Sequence, residues 1–203
     1  MATNVLQGNL PSSVGNLATL KALWLHANEI SGTIPPEIGN LTNLLQLRME
    51  QNKFVGNLPG SIGNLANLTY IILSSNKLSG QIPVSIGKLS HLYKLLLQDN
   101  NFSGAIPRAL GDCKNLITLN LSYNTINESI PRELFSLTSL TEGFDLSHNQ
   151  LSGQIPQEIG GLINIGSLNF SNNHLSGHIP NSLGACVRLE SLHLEGNFLD
   201  GRI

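Results

Sequence analysis

An asparagine recurs along the chain at an almost constant interval, and this period constrains the fold more than any other feature. A segment of the type LxLxxN ends in Asn once in each complete unit, and Asn4 takes the same place in the partial first unit. The other positions are Asn28, Asn52, Asn76, Asn100, Asn124, Asn149, Asn173 and Asn197. The step is 24 residues, except for 25 between Asn124 and Asn149. Such a period is the signature of a solenoid, whose units bury their apolar faces only against neighbours. The 203 residues are therefore predicted to form one elongated domain of about nine units, the first and last incomplete.

Each unit contains a short alternating segment that predicts one β-strand. In LKALWLHAN, Leu23 and Leu25 point to one face, whereas Ala22, Trp24 and His26 point to the other. Stacked units place these strands side by side in a parallel sheet. The repeated Asn then lies where the strand turns inward, and a buried amide needs hydrogen-bond partners. We expect a ladder of Asn side chains bonded to the backbone of the turns.

The second half of each unit carries a Pro and a Gly at fixed places, in the pattern SGxIPxxIG. Pro cannot donate a backbone hydrogen bond and Gly permits a positive φ. The segment SGxIP is therefore predicted to be a bend followed by a short extended piece. Segments such as IGNL then return the chain across the convex side as a short helical turn.

The consensus LxxLxLxxNxLSGxIPxxIGxLxx resembles the plant-specific leucine-rich repeat over essentially the whole chain. This resemblance implies an α/β repeat solenoid with a parallel inner sheet, a short second sheet on its flank and a mostly irregular or 3-10 convex side. The segment LTEGFDLSHNQLSGQIPQEIG is most similar to the ectodomains of grass receptor-like kinases of the immune-receptor group. The resemblance implies an extracellular module, at the apoplastic face of the plasma membrane, that binds a peptide or protein, with a co-receptor as a candidate second partner.

The sixth unit, which contains Asn124, departs from the consensus. Glu128 and Phe135 stand where the unit before has glycine, Asn127 also departs, and the next unit begins one residue late at Gly143. We expect Phe135 to fill core space beside the irregular strand, with a local break in curvature. The resemblance makes the irregularity a family feature; the alternative is local variation in a tolerant solenoid.

The two cysteines are predicted to be free and buried. Cys113 and Cys186 each follow their unit's Asn by 13 residues, where other units have Leu. They are three units apart, or roughly 14 Å at the strand spacing, whereas a disulfide needs Cα atoms within about 7 Å. Ectodomains of the resembled type usually carry paired-cysteine caps at both ends, and neither is present here. We therefore expect a receptor fragment whose bare ends favour end-to-end self-association.

Six Asn residues fit the acceptor pattern Asn-x-Ser/Thr for N-glycosylation. They are Asn40, Asn67, Asn101, Asn120, Asn127 and Asn169. The consensus generates NLT and NLS easily, so each sequon alone is weak, but together they are compatible with a secreted parent protein. Sugars on Asn120 and Asn169 would cover the inner face of their units and direct a ligand elsewhere.

Composition argues against several classes of function. Charged residues make up 12% of the chain and the net charge is −2, so the basic footprint of a nucleic-acid-binding protein is missing. No apolar run reaches the roughly 20 residues of a membrane helix, which predicts no direct membrane contact. The start, MATNVLQGNL, has neither the basic end nor the apolar core of a signal peptide.

The sequence contains only weak candidates for a catalytic or metal-binding site, and we predict a non-enzyme without cofactor or metal. Asp145, Ser147 and His148 are close in sequence, but adjacent places on one strand do not give the geometry of a catalytic relay. His193 and Glu195 share a strand face, yet zinc requires three or four ligands. A kinase domain would have to lie elsewhere in a full-length parent.

The best candidate for a binding site is the inner face of the second to fifth units. The inner-face positions lie six, four and two residues before each Asn. In the sixth to eighth units they are small and polar; in the earlier units they include aromatic, aliphatic and charged side chains. The predicted ligand-binding residues are Trp24, His26, Arg48, Glu50, Tyr70, Ile72, Lys94, Leu96 and Gln98. Aromatic residues and Arg are favoured in binding hot spots; the alternative is free drift, since strands accept aromatic and β-branched residues in any case.

Two other functions compete with a receptor module. Plant proteins with the same repeat inhibit secreted microbial pectin-degrading enzymes, although those proteins usually have paired-cysteine caps. A passive or ice-facing scaffold would need a flat regular array of Thr or Asn. The sequence offers that only weakly, at Thr118, Asn120 and Asn169.

Overall fold

One short strand from each unit builds the inner sheet, as the alternation predicts. The computed structural model describes residues 4–201, and its inner sheet has eight parallel strands in sequential order. The pairing advances by one unit at each step, as in Leu23 opposite Leu47. It absorbs the extra residue where Thr118 pairs with Gly143. The inner strands are β2 (Ala22–Trp24), β4 (Gln46–Arg48), β6 (Tyr70–Ile72), β8 (Lys94–Leu96), β10 (Thr118–Asn120), β12 (Gly143–Asp145), β14 (Ser167–Asn169) and β16 (Ser191–His193).

The SGxIP segments form a second set of parallel strands on the flank, divided into two sheets. A single bridge between Ser129 and Ser152 connects the two. The flank sheet is therefore interrupted at the sixth unit, whereas the inner sheet continues past it; the local break in curvature expected there stays a prediction. The six-stranded sheet contains β1 (Gln7–Asn9), β3 (Glu29–Gly32), β5 (Lys53–Asn57), β7 (Lys77–Gly80), β9 (Asn101–Gly104) and β11 (Thr125–Ile126). The three-stranded sheet contains β13 (Ser152–Gly153), β15 (His174–His178) and β17 (Phe198–Asp200).

Short 3-10 helices cover the convex side, each beginning directly after the Pro of its unit. They are η1 (Ser12–Asn16), η2 (Pro36–Asn40), η3 (Gly60–Asn64), η4 (Val84–Lys88), η5 (Arg108–Asp112), η6 (Arg132–Ser136), η7 (Gln157–Gly161) and η8 (Asn181–Ala185). Their glycines allow close stacking, because a Cβ on Gly39 would lie 2.5 Å from the Cβ of Ser61 in the next unit. None of the helices in residues 4–201 is long and apolar enough to cross a bilayer.

The predicted Asn ladder is confirmed in every unit from Asn28 to Asn197. The Nδ2 atom of Asn124 donates to the carbonyls of Leu97, Leu121 and Ser122 at 3.0–3.1 Å. Its Oδ1 atom accepts from the backbone N–H of Phe102 at 2.9 Å. Each amide thus closes its own turn and binds the backbone of the preceding unit, which fixes the position of one unit on the next.

Both cysteines are free and buried, as predicted. Their Sγ atoms donate to the carbonyls of Ile86 and Ile159, each at 3.4 Å, in the core positions that other units fill with Leu. Burial, assisted by the charge of Asp112 and opposed by that of Lys114, raises the pKa of the Cys113 thiol from 9.0 to about 11.

Phe135 fills the core beside the irregular strand, which confirms the sequence interpretation. Its side chain is 1% exposed, and its ring centroid lies 6.1 Å from that of Phe144 and 6.5 Å from that of Phe170. The Phe135 carbonyl lies so close to Gly161 that any Cβ at residue 161 would collide with it. Gly161 in η7 therefore leaves room for the η6 backbone at Phe135.

Replacing Asn124 by Ala should strongly destabilise the fold. The change leaves the buried N–H of Phe102 without its partner, and an unpaired buried group costs about 1–3 kcal/mol. The carbonyls of Leu97, Leu121 and Ser122 each lose one of two donors, because Asn100, Asn149 and Asp99 still bond to them. We expect urea denaturation to show a loss of about 2–3 kcal/mol. The control Asn115→Ala removes one exposed bond, to Ser90, and should cost under about 1 kcal/mol; similar losses in both variants would contradict a structural ladder.

Stability should fall as the pH rises above 9.0, because the unfolded chain can form the Cys113 thiolate there while the folded chain keeps the thiol protonated up to about 11. Below the lower of these values the thiol is protonated in both states and contributes no pH dependence. Urea midpoints measured across this window should decline less in Cys113→Val than in the wild type. Equal declines would mean that other groups cause the effect.

Candidate functional site

The fold brings the nine predicted binding residues together on one concave surface. Register pairs Trp24 with Arg48, Arg48 with Ile72, and Ile72 with Leu96. We call these four side chains the central row. A second row lies two residues further along each strand, and we call it the acceptor row: His26, Glu50, Ser74 and Gln98. Tyr70 and Lys94 pair with each other on the opposite side of the central row.

The aromatic side chains give this surface its exposed apolar area. Trp24 is 56% exposed, and its Nε1 donates to Oε1 of Gln46 at 3.2 Å, which fixes the indole at the rim of the face. Tyr70 packs edge to face with Tyr93 at a centroid distance of 6.3 Å. Tyr93 was not predicted, because it lies one place before the alternating positions.

The charged side chains of the surface neutralise one another. Arg48 donates through Nε and Nη2 to Oε1 of Glu50, at 3.1 and 2.5 Å. Lys94 Nζ lies 2.6 Å from Oε2 of Glu142. Glu142 was missed from the sequence, although the one-residue insertion before β12 was a signal for it. Hydrogen bonds from Lys94 and Thr118 lower the pKa of Glu142, so this carboxylate remains charged at neutral pH.

The later units close their inner-face hydrogen bonds internally. Ser122 and Ser171 donate through Oγ to Oδ1 of Asn120 and Asn169, at 2.7 and 2.8 Å. These half-buried asparagines belong to the inner sheet, as their positions in the repeat predicted. The contrast with the second to fifth units noted in the sequence is thus also a contrast in hydrogen bonding.

Sequence comparison identifies the repeat. A leucine-rich repeat family model matches residues 90–151, and a second leucine-rich repeat model matches residues 19–41, 67–89, 141–162 and 164–186. Together they cover well over half of the chain. The chain belongs to the leucine-rich repeat family. A comparison with curated protein sequences gave no match.

Solved leucine-rich repeat ectodomains of plant receptors have the same fold. The Arabidopsis receptor kinase HAESA, in complex with the peptide hormone IDA and the co-receptor SERK1, is 38% identical with a TM-score of 0.95, over 98% of this chain and 33% of that one. The plant peptide hormone receptor RGFR1, in complex with RGF2, is 35% identical with a TM-score of 0.82, over 99% and 36%. This chain therefore spans about a third of the length of either receptor chain.

A plant ice-binding protein is also similar in structure. It is 26% identical with a TM-score of 0.78, over 98% of this chain and 73% of that one. The leucine-rich repeat solenoid thus occurs in proteins with different functions, and the fold alone does not separate them.

The residues considered for catalysis or metal binding make other contacts in the structure. The backbone N–H of Ser147 donates to Oδ1 of Asp145 at 2.9 Å. The ring of His148 stacks on Tyr123 at 4.1 Å. Nδ1 of His193 lies 3.5 Å from Oε1 of Glu195. No group of three His, Cys, Asp or Glu residues that could hold a metal occurs between residues 4 and 201.

The remaining sequons lie away from the inner face. Asn40 ends η2, Asn101 begins β9, and both are exposed. Asn67 is exposed and donates through Nδ2 to the carbonyl of Thr42 at 3.0 Å. Asn127 is half-buried in a groove on the flank.

That groove, of about 920 Å³, was not predicted. It lies along the irregular sixth leucine-rich repeat, and its lining includes Arg108, Asn127, Glu128 and Arg132. In other units, the side chain at the position equivalent to Ala105 covers the flank-sheet glycine of the next unit. Examples are Gln81 over Gly104 and Gln154 over Gly177. Because Ala105 and Ser129 are small, the flank is left uncovered here.

Glu128 stands within this groove with an unusual backbone conformation. Its φ is +68°, in a position where the flanking units have Gly104 at +73° and Gly153 at +78°. A side chain in this region is strained. The small Ala105 removes the steric obstacle that a longer residue would present, but the backbone strain remains.

Glu128→Gly should therefore stabilise the protein, by up to about 1 kcal/mol, because it relieves the positive φ. The reciprocal change Gly104→Glu should destabilise it, since the Gln81 Cγ atom lies 2.9 Å from the position of the added Cβ. Thermal unfolding of both variants tests the assignment. Adding Gln81→Ala to Gly104→Glu should recover part of the loss; no recovery would mean that Gln81 is not the cover.

Proposed function

We propose that this chain is an extracellular recognition module that binds a peptide or protein ligand on the inner face of its second to fifth units. The supporting observation is that this one face carries the indole of Trp24, which is 56% exposed, together with the half-buried Tyr70 packed on the exposed Tyr93. Exposed apolar area gathered on one face is typical of interaction sites. The similar ectodomains are described as complexes with peptide hormones, in one case with a co-receptor as well.

The parent protein is proposed to be a plant receptor-like kinase, with this solenoid as part of its ectodomain at the apoplastic face of the plasma membrane. The resemblance to grass receptors of the immune-receptor group favours defence signalling, and the hormone-receptor neighbours favour development. The six sequons support an extracellular glycoprotein. A kinase domain would then act separately, the module itself would be non-catalytic, and a co-receptor would be a second partner.

An ice-interacting scaffold is the second candidate, because a plant ice-binding protein shares the fold. Its support from the residues is weaker, since the small polar side chains of the later units bond to one another. An assay of ice recrystallisation with the purified chain separates this candidate from a receptor module. Inhibition of a microbial pectin-degrading enzyme is tested in the same way, with the enzyme as probe.

A capture experiment tests the leading proposal. The wild type and the variant Trp24→Ala, Arg48→Ala, Tyr70→Ala are immobilised and exposed to plant and microbial extracellular fractions. We expect a partner that the wild type retains and the variant loses, because Trp, Tyr and Arg truncations typically cost a large part of the binding energy.

The matched control carries Tyr123→Ala, Arg188→Ala and Phe198→Ala, which truncates two aromatic residues and one Arg that are exposed elsewhere. It should retain the partner. Circular dichroism must show that all three proteins are folded. Equal capture by the wild type and the first variant would move the site away from this face.

A further inference from the structure

Three buried side-chain atoms of the described residues lack a hydrogen-bond partner, and all three belong to the acceptor row. They are Nδ1 of His26, Oε2 of Glu50 and Oε1 of Gln98. Buried polar groups are nearly always bonded, and an unpaired one is costly. Their coincidence in one row of one face points to a function of the row rather than to scattered defects of packing.

The same row is satisfied where the proposed binding face ends. In the sixth and eighth units the equivalent positions hold Ser122 and Ser171, whose hydroxyls donate to Asn120 and Asn169. The sequence of the later units therefore provides an internal partner. In the second, third and fifth units it provides larger polar side chains and no such partner.

Glu50 decides the chemistry that this row selects. The residue is 9% exposed, and Arg48 directs Nε and Nη2 to Oε1. The negative charge is thereby compensated while Oε2 still needs a donor. A cationic ligand group would approach Arg48, and an anionic group would face two oxygen acceptors, on Glu50 and Gln98. An uncharged N–H or O–H donor is repelled neither by Arg48 nor by these oxygens.

The second ion pair of the face extends this argument. Lys94 is bound to Glu142 at 2.6 Å, so it does not supply a free cation to the surface. Successive units are about 4.8 Å apart, which places the oxygens of Glu50 and Gln98 roughly 10 Å apart along the row. The central row beside them supplies Trp24, Ile72 and Leu96 for apolar contact.

We propose that Glu50 and Gln98, together with His26 in the tautomer protonated at Nε2, form a polar subsite that binds uncharged hydrogen-bond donors of an extended peptide, such as main-chain N–H, amide or hydroxyl groups. The peptide lies across the strands, with apolar side chains on the central row. Recognition then depends on hydrogen bonds and apolar burial and only weakly on charge. This inference rests on the proposed function, because it assumes that the inner face binds a peptide.

The probe is a displayed library of random peptides, selected on the full chain at low and at high salt. Salt screens exposed charges strongly and hydrogen bonds little. We expect the same uncharged, donor-rich peptides to be enriched under both conditions. Enrichment of acidic or basic peptides that are lost at high salt would overturn the proposal.

The variant Gln98→Leu gives a readout that a structural role would not produce. Removal of a buried unpaired acceptor should raise the urea midpoint, while affinity for a selected peptide should fall about fivefold, the usual net value of one hydrogen bond. Methylation of the main-chain nitrogen that donates to Gln98 should weaken binding to the wild type about fivefold and leave binding to Gln98→Leu unchanged. The control Gln150→Leu, on the exposed flank, should alter neither quantity in this way.

The outcomes separate this inference from the proposed function. Some peptides could fail to bind the Trp24, Arg48 and Tyr70 triple variant and yet bind Gln98→Leu as tightly as the wild type. This result would support the binding face and overturn the subsite. Solvent would then be the hydrogen-bond partner of the three atoms. Failure of the wild type to retain any peptide beyond the level of that triple variant would overturn both. Equal losses on methylation in the wild type and Gln98→Leu would also overturn the subsite.

Discussion

The amide of one Asn in each unit is the interaction on which the rest of the structure depends. It binds carbonyls of its own turn and of the unit before, and it accepts an N–H from that preceding unit, as Asn124 does from Phe102. Because these bonds join two units at the same place every time, they fix both the turn and the stacking. Residues at equal places in successive units therefore stand in rows, and a face with several side chains of one kind becomes a continuous surface.

Features that repeat could be predicted from the sequence. The strands, the Asn ladder and the burial of Cys113 follow from residues that recur with the period, since each unit meets the same surroundings as its neighbours. Phe135 could also be predicted, because it replaces a residue whose place in the core was known. These predictions needed no knowledge of how any particular pair of side chains meets.

Features that depend on contacts between non-equivalent places could not be predicted. Glu142 reaches Lys94 only because the inserted residue redirects the chain before β12, and the direction of that change is not encoded in the period. The groove at Glu128 required comparing Ala105 with the covering residues of other units. The predicted binding residues are brought onto one face, but the neutralisation of their charges emerges only from pairing in three dimensions. From the sequence alone, the charges of these residues would have suggested a site that binds a charged ligand.

The contact between Phe135 and Gly161 has a consequence for how arrays of this kind can change. Solenoids grow and diversify by gain, loss and exchange of whole units, and most such exchanges are tolerated because each unit meets a neighbour of the same shape. Here the carbonyl of Phe135 and the glycine that leaves room for it lie in different units. An exchange whose boundary falls between them would set a side chain at residue 161 against that carbonyl, so we expect an exchange at this boundary to cost stability.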